Sequence, residues 1–164
     1  MFVSDLTSPI GIVRVVADEQ TVLAVSIHPE ESLKLSRLGL VGDEESNRVS
    51  LSAVKQLEEY FAGERKQFDL PVYFGQMSQF SLDILTCLAG LPYGEILTYG
   101  ILATLSGHPQ AARAVGRVMA ANPIPIIVPC HRIIGSGGKM VGYSGGDGVE
   151  TKEWLLAFEK RHMN

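Results

Sequence analysis

The chain has 164 residues, of which 46% are hydrophobic and 20% charged. That is the composition of an ordinary globular protein, not of a disordered or fibrous one, and the length allows one large domain or two small ones. The net charge of −4, taken as a bulk figure, counts against a nucleic-acid partner, but its distribution counts the other way.

Residues 1–75 carry 7 basic and 12 acidic side chains, whereas residues 76–164 carry 7 and 6. Between Ile96 and Gly146 lie Arg113, Arg117, Arg132 and Lys139 and no acid at all, a local cationic field that can hold phosphates. No apolar run reaches the length of a membrane span. The opening MFVSDLTSPIGIVR lacks the basic leader and apolar stretch of a signal peptide. A cytosolic location, or a nuclear one in a eukaryote, is therefore expected, with no membrane partner. In a reducing compartment Cys87 and Cys130 are expected to stay unpaired, and two thiols are too few for a thiolate zinc site. His28, His108, His131 and His162 show no metal-ligand spacing, so no metal and no cofactor is expected.

In chain order, Ile10–Ala17 and Thr21–Ile27 read as two strands around the polar turn Asp18-Glu19-Gln20, a β-hairpin. Residues 28–46 are polar and poorly periodic, a loop with room for a short helix. Val49, Ala53, Leu57, Tyr60 and Phe61 fall at helical spacing, and Gly63 stands where a C-terminal cap belongs. The extended segment FDLPVYF (68–74) contains Pro71 and reads as a connector, which divides the chain into an N-terminal domain, 1–75, and a C-terminal domain, 76–164.

In the second domain Phe80, Ile84, Leu85 and Leu88 mark a helix ending at Gly90, with Leu91-Pro92-Tyr93-Gly94 as a turn. Thr98 can cap a short helix that runs through Leu105. Gly107-His108-Pro109 breaks it, and Gln110–Ala121 forms the next. Two short helices around a tight Gly/Pro turn suggest a helix-turn-helix. The apolar run Ile124–Val128 is interrupted by Pro125 and followed by Pro129. Ile133-Ile134 and Met140-Val141, joined by a Gly-rich turn, read as a small hairpin or wing. Thr151–His162 is a last helix with Trp154, Leu155 and Phe158 on one face.

The segment with the most chemistry is Pro129-Cys130-His131-Arg132. A thiol beside an imidazole is the minimum for an activated sulfur nucleophile, because the thiolate is the reactive form. A bare Cys-His pair is more often a buried cysteine next to an incidental histidine. Its surroundings decide otherwise: Asn122-Pro123 and an apolar run precede it, Arg113-Ala114-Val115-Gly116 stands upstream, and Gly142-Tyr143-Ser144-Gly145-Gly146 and Lys152-Glu153-Trp154-Leu155-Leu156 follow.

With Leu91-Pro92-Tyr93-Gly94 and Thr98-Tyr99-Gly100, these motifs make the chain from about Val54 onward resemble the O6-alkylguanine-DNA alkyltransferase family. The resemblance implies an α+β protein with an N-terminal ribonuclease-H-like α/β domain bearing the hairpin sheet. Its C-terminal domain would be of winged helix-turn-helix type and carry the active site. The implied activity is DNA repair: a single, stoichiometric transfer of an alkyl group from O6-alkylguanine in double-stranded DNA to Cys130, by a monomer. The resemblance further implies a Glu159–His131–water–Cys130 relay and a hinge at Asn122. Tyr99 would donate a hydrogen bond to the leaving guanine. Ile133, Tyr143 and Ser144 would line the base pocket, Ile133 through its carbonyl and Ser144 through its N–H. Arg113 would fill the stack vacated by a flipped base, on a helix whose neighbours Ala112, Ala114 and Gly116 permit close approach to the minor groove. Arg117 and Arg132 fit either phosphate contacts or structural roles.

Some positions depart from the family pattern. Phe80-Ser81-Leu82-Asp83-Ile84-Leu85 stands where Phe-Gln and Val-Trp are common, Thr98 replaces a serine, and the loop Asp147–Thr151 is longer than in many members. Cys87 is expected in the core of its helix, and His28, His108 and His162 have no assigned role. Three other readings compete: a lesion binder, which would lack Cys130; a winged-helix regulator, which has no use for Pro-Cys-His-Arg; and a cysteine hydrolase, which needs an oxyanion hole with no local signature here.

Overall fold

In the computed structural model, residues 1–28, 39 and 45–164 are described. The loop or short helix expected over 28–46 lies almost wholly outside these residues. Two compact units emerge, Met1–Gly75 and Gln76–Asn164.

The first unit is built on three antiparallel strands, β1 (Phe2–Ser8), β2 (Gly11–Ala17) and β3 (Val22–Ile27), in the order β1-β2-β3. The expected hairpin is thus β2–β3, and the sequence reading missed β1, whose polar FVSDLTS hides a two-residue alternation that buries Ser4 and Leu6. Helix α1 (Arg48–Phe61) lies on this sheet. Asn47 caps it by accepting from Ser50 N at 2.8 Å, while Ser50 Oγ accepts from Asn47 N at 3.0 Å, a reciprocal cap. Its apolar face places Ala53, Leu57 and Tyr60 out of solvent; burying a side chain such as Leu57 stabilises by about 2 kcal/mol. The connector returns to the sheet: Val22 N donates to Pro71 O and Tyr73 N to Val22 O, and Gln56 holds Asp69 through both its backbone N–H and C=O.

The second unit contains α2 (Gln79–Ala89), β4 (Leu97–Thr98), α3 (Tyr99–Leu105), α4 (Ala112–Ala120), β5 (Ile133–Ile134) and α5 (Val149–Arg161). Ser78 and Thr98 cap α2 and α3 through their hydroxyls, whereas α4 starts without a side-chain cap. Helices α2, α3 and α4 pack on one another in pairs, the arrangement of a helix-turn-helix with a supporting helix. The expected hairpin of Ile133-Ile134 with Met140-Val141 is corrected: β5 pairs in parallel with β4, Leu97 opposite Ile133 and Thr98 opposite Ile134. The return segment closes through Gly135 N to Lys139 O at 2.8 Å, and the Val141 carbonyl accepts from side chains. Cys87 is half-buried, not in the core; Ile84, Leu85 and Leu88 hold the inner face of α2. Among the described residues no helix is long and apolar enough to cross a membrane.

Candidate active site

The approach to Cys130 is two tight turns in succession. Ile127 N donates to Pro125 O across Ile126, whose φ of 71° is a left-handed value that a β-branched residue adopts only under constraint. Cys130 N then donates to Val128 O across Pro129, at φ −83° and ψ 65°. The strain at Ile126, of order 1–3 kcal/mol, is held by full burial of Ile124 and Ile126. Asn122 locks the same segment: Nδ2 donates to Val128 O at 2.9 Å and Oδ1 accepts from Ile124 N at 3.0 Å. One side chain beyond the end of α4 thus fixes the loop that carries the cysteine.

Cys130 opens a single 3-10 turn, Cys130–Arg132, that is buried throughout. His131 has no solvent exposure, and its Nε2 stands 2.8 Å from Glu159 Oε1 on α5. With Nε2 as the donor to a carboxylate, Nδ1 is the imidazole's proton acceptor; it makes no hydrogen bond within the described residues. Arg132 converges on the same carboxylate, Nε at 3.0 Å from each oxygen and Nη2 at 2.7 Å from Oε1. Its Nη1 donates to Leu91 O at 2.9 Å, and the guanidinium lies 5.5 Å from the Tyr93 ring centroid. The phosphate-contact reading of Arg132 is therefore corrected: it is a buried counter-ion.

These contacts set the protonation states. Burial pushes the His131 imidazole below its ordinary value, and the hydrogen bond and charge of Glu159 offset this only in part. Burial alone would raise the Glu159 carboxyl, but the hydrogen bonds and charges of His131 and Arg132 outweigh it and hold it at about 2. The pair rests as carboxylate and neutral imidazole, the state that can accept a proton.

Lys152, one turn into α5 and 1% exposed, is a buried charge at the site that its motif alone does not mark as functional. Its Nζ donates to Ile133 O and to Val141 O, so the Ile133 carbonyl is held by an ammonium group. Burial lowers the Lys152 ammonium, and the neighbouring Cys130 charge acts against this. Tyr99, the first residue of α3, also donates to Val141 O, at 3.0 Å. Burial, then the Cys130 charge, raises its phenol, so the hydroxyl remains a donor. Gly142 permits this closeness: it has φ 73°, and a Cβ there would come within 2.9 Å of the Tyr99 hydroxyl.

Tyr143 is buried, whereas Ser144 is exposed, with Oγ 3.4 Å from Ala120 O. Arg113 and Arg117 are exposed on α4, and Ala112, Ala114 and Gly116 are half-buried beside them. Among the described residues no cluster of three or more His, Cys, Asp or Glu could hold a metal ion.

Fold and site together define a class: a helix-turn-helix unit bearing a buried cysteine whose neighbouring imidazole is held by a carboxylate. Residues 79–161 match the DNA-binding domain of 6-O-methylguanine DNA methyltransferase, and residues 1–74 match its ribonuclease-like domain. A methylated-DNA–protein-cysteine methyltransferase of Mycolicibacterium paratuberculosis is 42% identical over 94% of this chain and 90% of its own length. One of Methanosarcina acetivorans is 40% identical over 97% and 98%. The crystal structure of Mycobacterium tuberculosis OGT in complex with DNA superposes with a TM-score of 0.85 at 36% identity, covering 99% of this chain and 94% of that one. The chain belongs to the 6-O-methylguanine DNA methyltransferase family.

Proposed function

We propose that this protein repairs double-stranded DNA by moving an alkyl group from the O6 atom of guanine to the Cys130 sulfur, once per molecule, as a cytoplasmic monomer without a cofactor. The observation that carries the reading is the buried Cys130-His131 turn with His131 Nε2 committed to Glu159. The thiol proton passes through a water to His131 Nδ1, and the imidazolium so formed is stabilised by Glu159. Arg132 keeps that carboxylate ionised throughout.

The thiolate attacks the alkyl carbon on the side opposite O6. The sulfur–carbon bond forms as the carbon–oxygen bond breaks, and that electron pair leaves with the guanine. Tyr99 donates to the departing base, exchanging its present acceptor, Val141 O. Tyr143, the Ser144 N–H and the Ile133 carbonyl line the base pocket. The base reaches it by leaving the stack, with Arg113 entering in its place and Ala112, Ala114 and Gly116 letting α4 approach the groove. Exposed Arg117 meets phosphate.

Peptide mapping by mass spectrometry after exposure to an O6-methylguanine duplex tests this. One added methyl group on the Cys130 peptide is expected, and none in Cys130→Ala. A methyl on Cys87, or transfer that survives Cys130→Ala, overturns the assignment.

A further inference from the structure

His108 lies in the turn between α3 and α4 and has no part in the chemistry above, yet three helices meet at it. Its N–H donates to Ala103 O of α3 at 2.9 Å. Its carbonyl accepts from Ala111 N at 3.2 Å, on the step into α4. Its Nε2 stands 2.8 Å from Asp83 Oδ2 on α2, and its ring meets Phe80 edge-on with centroids 4.7 Å apart. Gln79 Nε2 donates to Asp83 Oδ1 at 2.8 Å and fixes the carboxylate from the preceding turn.

The start of α4 needs such a hold. Ala111 offers no side-chain cap, and the preceding Gln110 sits at φ 71°, a left-handed value that a residue of this kind rarely adopts. The Asp83 and Phe80 contacts of His108 fasten this turn to α2. Arg113 is the second residue of α4, so a shift of the turn shifts Arg113 with it.

We propose that the Asp83–His108 contact seats α4 on α2 and thereby positions Arg113 for entry into the duplex. The inference rests on the reading of α4 as the DNA-entering helix and adds a positioning pair to it. Both side chains are about one-third exposed, at 32% and 35%. Such pairs contribute little to global stability, so their removal should move the helix without unfolding the domain.

The test compares methyl transfer from an O6-methylguanine duplex with reaction of free O6-benzylguanine in His108→Ala, Asp83→Ala, Asp83→Asn and the double alanine variant, with melting temperatures alongside. Each alanine variant should lose roughly two- to fivefold on the duplex, the range of an exposed pair, and nothing on the free base. The double variant should be no worse than either single one. Asp83→Asn, which keeps a neutral acceptor for the ring, should retain more duplex activity than Asp83→Ala. Equal losses on both substrates, additive losses in the double variant, or unchanged duplex rates overturn the inference. A wild-type protein that reacts with the free base but not with the duplex removes the reading of α4 itself, and this inference with it.

Discussion

Glu159 Oε1 stands 2.8 Å from His131 Nε2, and both side chains are closed to solvent. The contact leaves Nδ1 as the imidazole's proton acceptor, and Arg132, bound to the same carboxylate, keeps Glu159 charged whichever state His131 is in. Glu159→Gln should therefore act twice. It should slow alkylation, with the rate profile displaced to higher pH as the thiolate becomes harder to form. It should also destabilise the fold by about 3–5 kcal/mol, because Arg132 is left buried without its counter-charge. Unchanged melting and an unchanged profile would contradict both roles.

The same pair predicts how stability varies with pH. Both groups bind protons more weakly in the folded protein than in the unfolded chain, so both favour the folded state at high pH. The His131 contribution is complete above the ordinary imidazole value of 6.5 and is lost as pH falls below it. The Glu159 contribution is complete above the ordinary carboxyl value of 4.5 and is lost as pH falls toward about 2. Melting temperature should thus begin to fall below about pH 6.5, and His131→Gln should flatten that first segment. A wild-type melting temperature constant from pH 7 to 5 would contradict the neutral, buried imidazole.

Lys152→Met keeps the aliphatic stem and removes the charge that joins Ile133 O to Val141 O. Alkylation of free O6-benzylguanine should slow at neutral pH and recover in part at higher pH, since the cation that favours the Cys130 thiolate is gone. A rate and profile like those of the wild type would make Lys152 a support of the backbone alone.

Arg113→Ala should cost far more with duplex than with free O6-benzylguanine, because only the duplex carries an unstacking cost of a few kcal/mol. Equal losses would show that Arg113 supports the fold instead.

Most of the helices and the thiol chemistry could be read from the sequence, because caps and periodicity are local. Asn47, Ser78 and Thr98 cap the helices whose apolar spacing follows them. The contact of Glu159 with His131 was to be expected only through resemblance, since a charge on a charged helix reads as solvated. A stricter periodicity would have found it: Lys152, Leu155, Leu156 and Glu159 follow the i, i+3, i+4, i+7 spacing of one buried stripe. Two charged residues on an apolar stripe signal partners elsewhere in the fold. The parallel pairing of β4 with β5 was hidden because it joins segments more than thirty residues apart, and two-residue strands carry no alternation. The Asp83–His108 contact was hidden for the same reason: 25 residues separate its partners.

The most direct test of the central claim is a titration of the protein with excess O6-methylguanine duplex, followed to completion. A thioether on Cys130 has no easy reverse path, and neither cysteine is in a disulfide that could mark a resolving pair. Product should plateau near one methyl per protein, all of it on Cys130. Product that keeps accumulating well beyond that ratio would make the protein a turnover enzyme and contradict single use.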